Sequence, residues 1–414
     1  MKMEHLIYVT VAVCLVAGVA AAQPLDGRKI HLKANDYKSV NVPIRLPYEG
    51  PAVDGVVRVV ETDTKKVMPA TLRNGELTFV AEGAMPGTEH DYVVEVAEAE
   101  EGYVPHVVIT KQEGKEILDV VIDDQLFTRF HYSADWKKPF LWPVLSEGEV
   151  SVTRDYPMEV GDTPKFAQDH PHHKSLWCAY GEVNGADCWA EGGGSGFQVV
   201  KNVTYGSGDA YGWVMAEVSW QDGEHKHLMT EHREYRFYAT PEDARLIDSM
   251  VAFNADSGDV ALTDTKEGGI VAVRMRPELS YRYADITNEH GDKGERECWG
   301  KPSAWCDYSG EMEDLGYRGL AVFDYPKNLR HPTSWHVRKY GLMGANCFGY
   351  SYFIDKDYNK PLLPSDNGDY TIEDGDTLSF YHRVYVHSGD VEEAAVAERY
   401  SDFATPPQVE WAAE

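Results

Sequence analysis

The chain has 414 residues and a formal net charge of −29, with 43% hydrophobic and 26% charged side chains. So negative a protein would repel nucleic-acid phosphates and anionic membrane surfaces, which argues against partners of either kind. The 36 Gly, 21 Pro and 25 Tyr point to a turn-rich, all-β fold.

Residues 1–22 read as a secretory signal peptide. Lys2 gives a positive start, residues 6–19 form an apolar run, and Ala20, Ala21 and Ala22 fit a small-residue cleavage site, so the mature chain is expected to begin at Gln23. The apolar run is shorter than the roughly 20 residues that a spanning helix needs. No membrane insertion is expected, and the location implied is periplasmic or secreted. After cleavage Cys178, Cys188, Cys298, Cys306 and Cys347 remain, and an odd number leaves at least one free thiol. Cys178 with Cys188, or Cys298 with Cys306, could pair in an oxidising compartment; buried free thiols are the alternative.

Residues 23–112 carry the alternating, β-branched pattern of half-buried strands at 40–46, 56–61, 76–80 and 92–96. Asn74-Gly75 marks a tight turn between two of them. This segment reads as a small accessory β-sandwich domain. The ten Trp all lie at or beyond Trp136, so the composition changes after the acidic stretch 95–102. Further strands are expected at 117–123, 127–132, 150–153, 213–220, 230–238, 245–253, 269–276, 319–324 and 378–386. With no alternation of strand and helix, residues 113–414 read as one large antiparallel β-sandwich that carries the catalytic or binding site. Only 391–403 has helical spacing, through Val396, Ala397 and Tyr400.

The strongest functional signal runs from Asp169 to Glu191: D-H-P-H-H-K-S-L-W-C-A-Y-G-E-V-N-G-A-D-C-W-A-E. His170, His172 and His173 fall within four positions, near Asp187 and Glu191, with Trp177 and Trp189 as flat apolar faces. Clustered His and carboxylates suit acid/base chemistry near neutral pH, or a metal. A His-x-His pair can also present two metal ligands, but spacing identifies no third. Asn184, Asp187, Trp189 and Glu191 lie on a Gly-flanked turn able to meet sugar hydroxyls while a Trp stacks on the ring.

Downstream, Asp264-Thr265-Lys266-Glu267-Gly268-Gly269 precedes a strand ending in Arg274 and Arg276. Glu267 is a candidate general base, and Lys266 and Arg274 are candidate clamps for a carboxylate. Trp305, Trp335, His336 and Asn346 add aromatics interleaved with polar groups, the lining a sugar cleft needs. The chain has no G-x-S-x-G elbow, no H-E-x-x-H and no dinucleotide fingerprint.

The runs DHPHHKSLW…GEVNGADCWAEG, DTKEG, WGKPSAWCDYSG, PTSWHVRKYGLMGANCFG and YHRVYVHSGD together resemble the PmoA-like family, labelled "methane oxygenase PmoA". The resemblance covers essentially the whole mature chain, with Lys174 where the family pattern has Arg. It implies an exported bacterial protein that accompanies sugar oxidoreductases, sugar isomerases and glycoside-degrading enzymes. It carries over no catalytic residue. By fold analogy, a β-rich chain of this size also looks like the galactose-mutarotase-type supersandwich.

The expectation is an exported enzyme of carbohydrate metabolism, a hydrolase or lyase acting on glycosides or acidic polysaccharide fragments. His170, His172 or His173 would be the acid or base, with Glu267 or Asp187 as partner. Lys174, Lys266 and Arg274 would hold a substrate carboxylate or sulfate, and Trp177, Trp189, Trp305 and Trp335 would line the sugar site. The residues identify no cofactor. A sugar epimerase is close in class; a His-ligated metal oxidase and a non-catalytic sugar-binding protein are the alternatives.

Overall fold

A computed structural model describes residues 24–412, apart from 162, 282–283, 356–359 and 364–366. The expected signal peptide lies outside the described residues. The fold is all-β, as the composition implies: among the described residues it has antiparallel sheets of seven, nine and eight strands, two two-stranded ones, a single helical turn at Gly294–Cys298 and one longer helix, Val396–Ala404, near the end. That helix starts later than its spacing suggests. Asp390 accepts from the backbone N–H groups of Glu392 and Glu393, and Ala395 is left-handed at φ 51°, so residues 391–395 turn before the helix begins.

The seven-stranded sheet holds six strands between Lys29 and Ala97, and Gln408–Trp411 from the far end of the chain. Ile30, Leu32, Ile44, Val59, Leu77, Phe79 and Val94 fill its core. The sheet rolls until its edges meet: Trp411 Nε1 donates to the Pro47 carbonyl at 2.8 Å, and Arg28 covers the indole at 3.9 Å. The expected boundary after residue 112 is therefore crossed twice. Val107–Lys111 pairs with Ile117–Ile122 in the nine-stranded sheet, while Gln408–Trp411 joins the seven-stranded one.

The nine- and eight-stranded sheets face each other across the main core. Successive strand residues point to opposite faces, and the sequence exploits this. On Leu176–Tyr180, the residues Leu176, Cys178 and Tyr180 enter the core between the sheets, while Trp177 and Ala179 join a second cluster with Phe140, Trp189, Ala272 and Leu342. On Trp335–Arg338, Trp335 and Val337 point into the core, which leaves His336 and Arg338 for the outer face. The outer face of the eight-stranded sheet is covered by Val80 of the seven-stranded sheet and by Val396 and Phe403 of the helix.

A buried ion network joins the seven-stranded sheet to the eight-stranded one. Arg45 donates to Asp248 (2.5 Å) and to the Tyr238 and Tyr381 hydroxyls, and Arg383 holds the other Asp248 oxygen at 2.6 Å. The five described cysteines are buried free thiols. Among the described residues no helix is long and apolar enough to cross a membrane.

Candidate active site

The outer face of the nine-stranded sheet carries the titratable groups. Trp177, Phe140, Ala272 and Leu342 form its apolar floor, and Trp136, Trp142 and Tyr340 pack against its rim. The loop 167–175 lies over this floor, and Arg154 shapes it from below. Its guanidinium donates to the carbonyls of Ala167 (2.7 Å), Asp169 (2.9 Å), His170 (3.0 Å) and His173 (3.3 Å), and to Asp169 Oδ1 (2.8 Å). One buried cation thus satisfies the inward carbonyls of a loop that has no ladder partner. It also holds His170 in a left-handed conformation, φ 42°, that costs a non-glycine residue about 1 kcal/mol or more.

The three histidines have different environments. His170 is 41% exposed, and its Nδ1 lies 2.9 Å from Asp169 Oδ2. Its ring stacks against both Tyr340 (5.1 Å) and His173 (4.9 Å). Burial would raise the Asp169 carboxyl, but the His170 hydrogen bond and the charges of Arg274 and Arg154 outweigh it and hold the group well below the carboxylate range. Asp169 is therefore an anion 2.9 Å from His170 Nδ1, a placement that favours the ring proton on Nδ1 and leaves Nε2 as the acceptor edge, with no protein hydrogen-bond partner among the described residues.

His173 is buried and stacks on Trp177 at 5.3 Å. Arg274 donates to its Nδ1 at 3.0 Å. Arginine has no acceptor, so the ring proton is on Nε2 and the ring stays neutral. Burial, then the neighbouring His172 and Arg274, push this histidine well down. His172 meets the His173 ring edge-on at 4.5 Å and is pushed down to about 3, first by burial and then by the Lys138 charge.

Two lysines complete the floor. Lys138 donates to the Trp189 carbonyl (2.5 Å) and the His172 carbonyl (3.2 Å), and lies 3.4 Å from Glu191. Burial lowers its ammonium to about 8 against the opposing pull of Glu191. Lys174 donates to Glu191 at 2.6 Å and to the Pro171 carbonyl at 2.5 Å, beneath the Trp136 ring. Glu191 is thus held between two lysines.

Several residues expected in the site do other work, and these are corrections. Trp305 is on the outer face of the eight-stranded sheet, packed with Phe323 and Ala304. Trp335 points into the main core and donates to the Ser303 carbonyl at 2.9 Å. Asn184, at φ 49°, is a turn residue: its side chain accepts from Ala261 N (2.7 Å) and donates to the Asp259 carbonyl. Asp187 accepts from the backbone N–H groups of Trp189 and Ala190, both at 2.9 Å, so it shapes its own loop. Asn346 is buried and clamps the Thr265 and Lys266 carbonyls while accepting from Phe348 N. That clamp, with Gly181 N donating to the Glu267 carbonyl at 2.7 Å, presents Lys266 and Glu267 as an ion pair at the rim. A Cβ at Gly181 would lie 2.9 Å from the same carbonyl, so only glycine lets the two segments approach.

Trp177, Trp189, Lys174, Arg274, Glu191 and His336 do converge with the histidines. Sequence reasoning missed Arg154 and Lys138, single residues in no motif, and passed over Arg338 and Tyr340, which lie inside the run PTSWHVRKYGLMGANCFG. Buried polar atoms without a protein hydrogen-bond partner concentrate here: Arg154 Nε, Arg274 Nε, Trp177 Nε1, Trp189 Nε1 and His336 Nδ1. Such atoms are rare in cores, and their clustering marks a region that recruits water or ligand. Four cations (Arg154, Arg274, Lys138, Lys174) face two carboxylates (Asp169, Glu191), a local positive excess in an acidic protein. Among the described residues no group of three or more His, Cys, Asp or Glu side chains is arranged to hold a metal ion; the two best-placed ring nitrogens face Asp169 and Arg274 instead.

Acidification should weaken this region. His172 (about 3) and His131 (pushed to about 4 by burial) titrate below the unfolded value near 6.5, so the unfolded state binds protons first. Their contribution is whole above pH 6.5 and is lost as pH falls through 4 and 3. Denaturant midpoints at pH 7 and pH 4 should differ more in the wild type than in His172→Gln. An equal difference would place the acid sensitivity elsewhere.

Fold and site together define an all-β protein with a histidine-rich, cation-lined site on the outer face of its largest sheet. The chain belongs to the family described as "Family of unknown function (DUF6807)", whose model matches residues 117–401. This corrects the family resemblance drawn from the motifs: the matching model bears that description, and no comparison gives a PmoA-like name. No curated protein matches the chain. Among solved structures it is similar to an alpha-mannosidase from Enterococcus faecalis V583, at 10% identity and a TM-score of 0.39, with 95% of this chain and 46% of that one covered. The chain thus spans less than half the length of that protein.

Proposed function

We propose that the chain is an exported carbohydrate-active enzyme that moves a proton on an acidic sugar, by elimination or epimerisation. The observation that carries this reading is the Asp169–His170 pair, a carboxylate 2.9 Å from His170 Nδ1 that would hold the proton there and leave Nε2 as the base. Hydrolysis is less well supported. It needs two carboxyl groups flanking the scissile bond, one of them protonated. Here Asp169 is held as an anion by two arginines and Glu191 lies between two lysines.

In the proposed step, His170 Nε2 takes the proton from the carbon beside the substrate carboxyl, and Asp169 stabilises the imidazolium. In elimination the electron pair forms a carbon–carbon double bond, and the oxygen on the next carbon leaves with a proton from solvent. In epimerisation the carbon regains a proton on its other face. Trp136 and Trp142, partly exposed at the rim, offer ring faces to the sugar. The test is a screen of uronate-containing oligosaccharides beside their neutral counterparts, read by ultraviolet absorbance for an unsaturated product and by NMR for an epimer. Turnover of the acidic set alone is expected. Turnover of neutral glycosides with release of reducing sugar would overturn the reading in favour of a hydrolase.

A further inference from the structure

The site holds several cations, but most are already occupied. Arg274 gives Nη1 to His173 and Nη2 to Asp169 and is 1% exposed; Lys174, 2% exposed, is held by Glu191 and Pro171. Arg154 and Lys138 are equally enclosed. A ligand carboxylate cannot reach these groups without breaking buried pairs, and breaking such a pair is strongly unfavourable.

Lys266 and Arg338 differ. Their side chains are 32% and 19% exposed. Lys266 is paired with its sequence neighbour Glu267, and Arg338 with Glu295 at 3.4 Å; partly exposed pairs of this kind contribute little and exchange readily. The Arg338 guanidinium lies flat on the Trp299 ring at 3.5 Å, so its hydrogen-bonding edge is oriented. Tyr340, two residues on, stacks its ring on His170 at 5.1 Å. The strand pairing brings Lys266 toward the same edge: His336 lies opposite Gly344, where a Cβ would be 3.2 Å from the Gly268 carbonyl, and Asn346 holds the Lys266 carbonyl at 3.2 Å. Burial, and after it the Arg338 charge, lower the Lys266 ammonium. His336 is buried between Trp189 (6.1 Å) and Trp299 (5.2 Å), with Nδ1 lacking a protein hydrogen-bond partner.

From this juxtaposition we infer that Lys266 and Arg338 form the subsite that binds the carboxylate of a uronic acid, with His336 Nδ1 meeting a hydroxyl of the same sugar. The inference rests on the proposed proton transfer at His170 and supplies what that transfer lacks, a cation pair to neutralise the carboxylate beside the carbon that is deprotonated. A sulfate ester would bind the same charges, but it would not acidify that carbon, so the base and the cation pair together favour a carboxylate. The guanidinium fork matches the planar carboxylate in two parallel bonds.

The test is calorimetric binding of a galacturonate trisaccharide and its neutral galactose counterpart to the full chain, using wild type, Lys266→Met, Arg338→Met and Lys174→Met. Each of the first two variants should weaken uronate binding about 10- to 100-fold and leave the weaker neutral binding unchanged. Lys266→Arg should restore most of the affinity. Lys266 is at the rim, so its variant stays informative if Arg338→Met fails to fold. Uronate binding that survives both substitutions, or is lost only in Lys174→Met, would overturn the subsite. Equal capture of a sulfated neutral trisaccharide would overturn the choice of carboxylate. His170→Ala separates the two readings, since it should slow turnover about 10²- to 10⁴-fold while leaving uronate affinity within about threefold.

Discussion

Replacing His170 with alanine should lower kcat/KM by about 10²- to 10⁴-fold, the range set by a general base. The protein should nonetheless stay folded. His170 is partly exposed and its polar contact among the described residues is the ion pair with Asp169, so the denaturant midpoint should move by no more than about 1 kcal/mol in equivalent stability. His173→Ala should behave in the opposite sense. That ring is buried against Trp177 and accepts from Arg274, so its removal opens a cavity and strands a guanidinium, destabilising the fold by about 2–4 kcal/mol. Steady-state kinetics and urea unfolding on the two variants distinguish these roles. Activity retained in His170→Ala and lost in a folded His172→Ala would assign the base to the other ring.

The second large effect is on stability. Asp248→Ala should cost about 3–5 kcal/mol, because it leaves the buried Arg383 and the partly exposed Arg45 guanidinium groups without their counter-charge. Burial favours the protonated acid, yet Arg383 and Arg45 outweigh it and hold Asp248 down at about 2. The aspartate therefore contributes its stability above the unfolded value near 4, and loses it only as pH falls through about 2. Arg45 belongs to the seven-stranded sheet, so the variant should also become sensitive to proteolysis near residues 98–106, where the chain passes to the nine-stranded sheet. A loss under about 1 kcal/mol, with no new cleavage, would show that apolar packing alone docks the two.

The all-β class was readable from composition and alternation, and the histidine run was readable as a candidate site because polar titratable residues rarely cluster without a role. The finer assignments depended on which face of a strand each residue occupies. Trp335 and His336 are neighbours in sequence, yet one fills the main core and the other reaches the site. Leu176–Tyr180 was not read as a strand because it is buried on both faces and shows no alternation. Asn184 and Asp187 looked like sugar ligands, but short polar side chains beside glycine more often bind their own backbone, as both do here. Arg154 and Lys138 carry no local signature, and Tyr340 lies in a run read for Trp335 and His336; all three meet the histidines through the pairing of Phe140–Ser146, Leu176–Tyr180, Gly268–Arg274 and Leu342–Ala345. The closing strand Gln408–Trp411 could not be foreseen either, since its partner Lys29–Lys33 lies at the other end of the chain.

The most direct test of proton abstraction by His170 uses a uronate oligosaccharide labelled with deuterium at the carbon beside its carboxyl group. Wild-type enzyme should release the label to solvent during turnover, whether the product is unsaturated or epimerised, and His170→Ala should not. Turnover in which the product keeps the label, or release that is unchanged in His170→Ala, would contradict it.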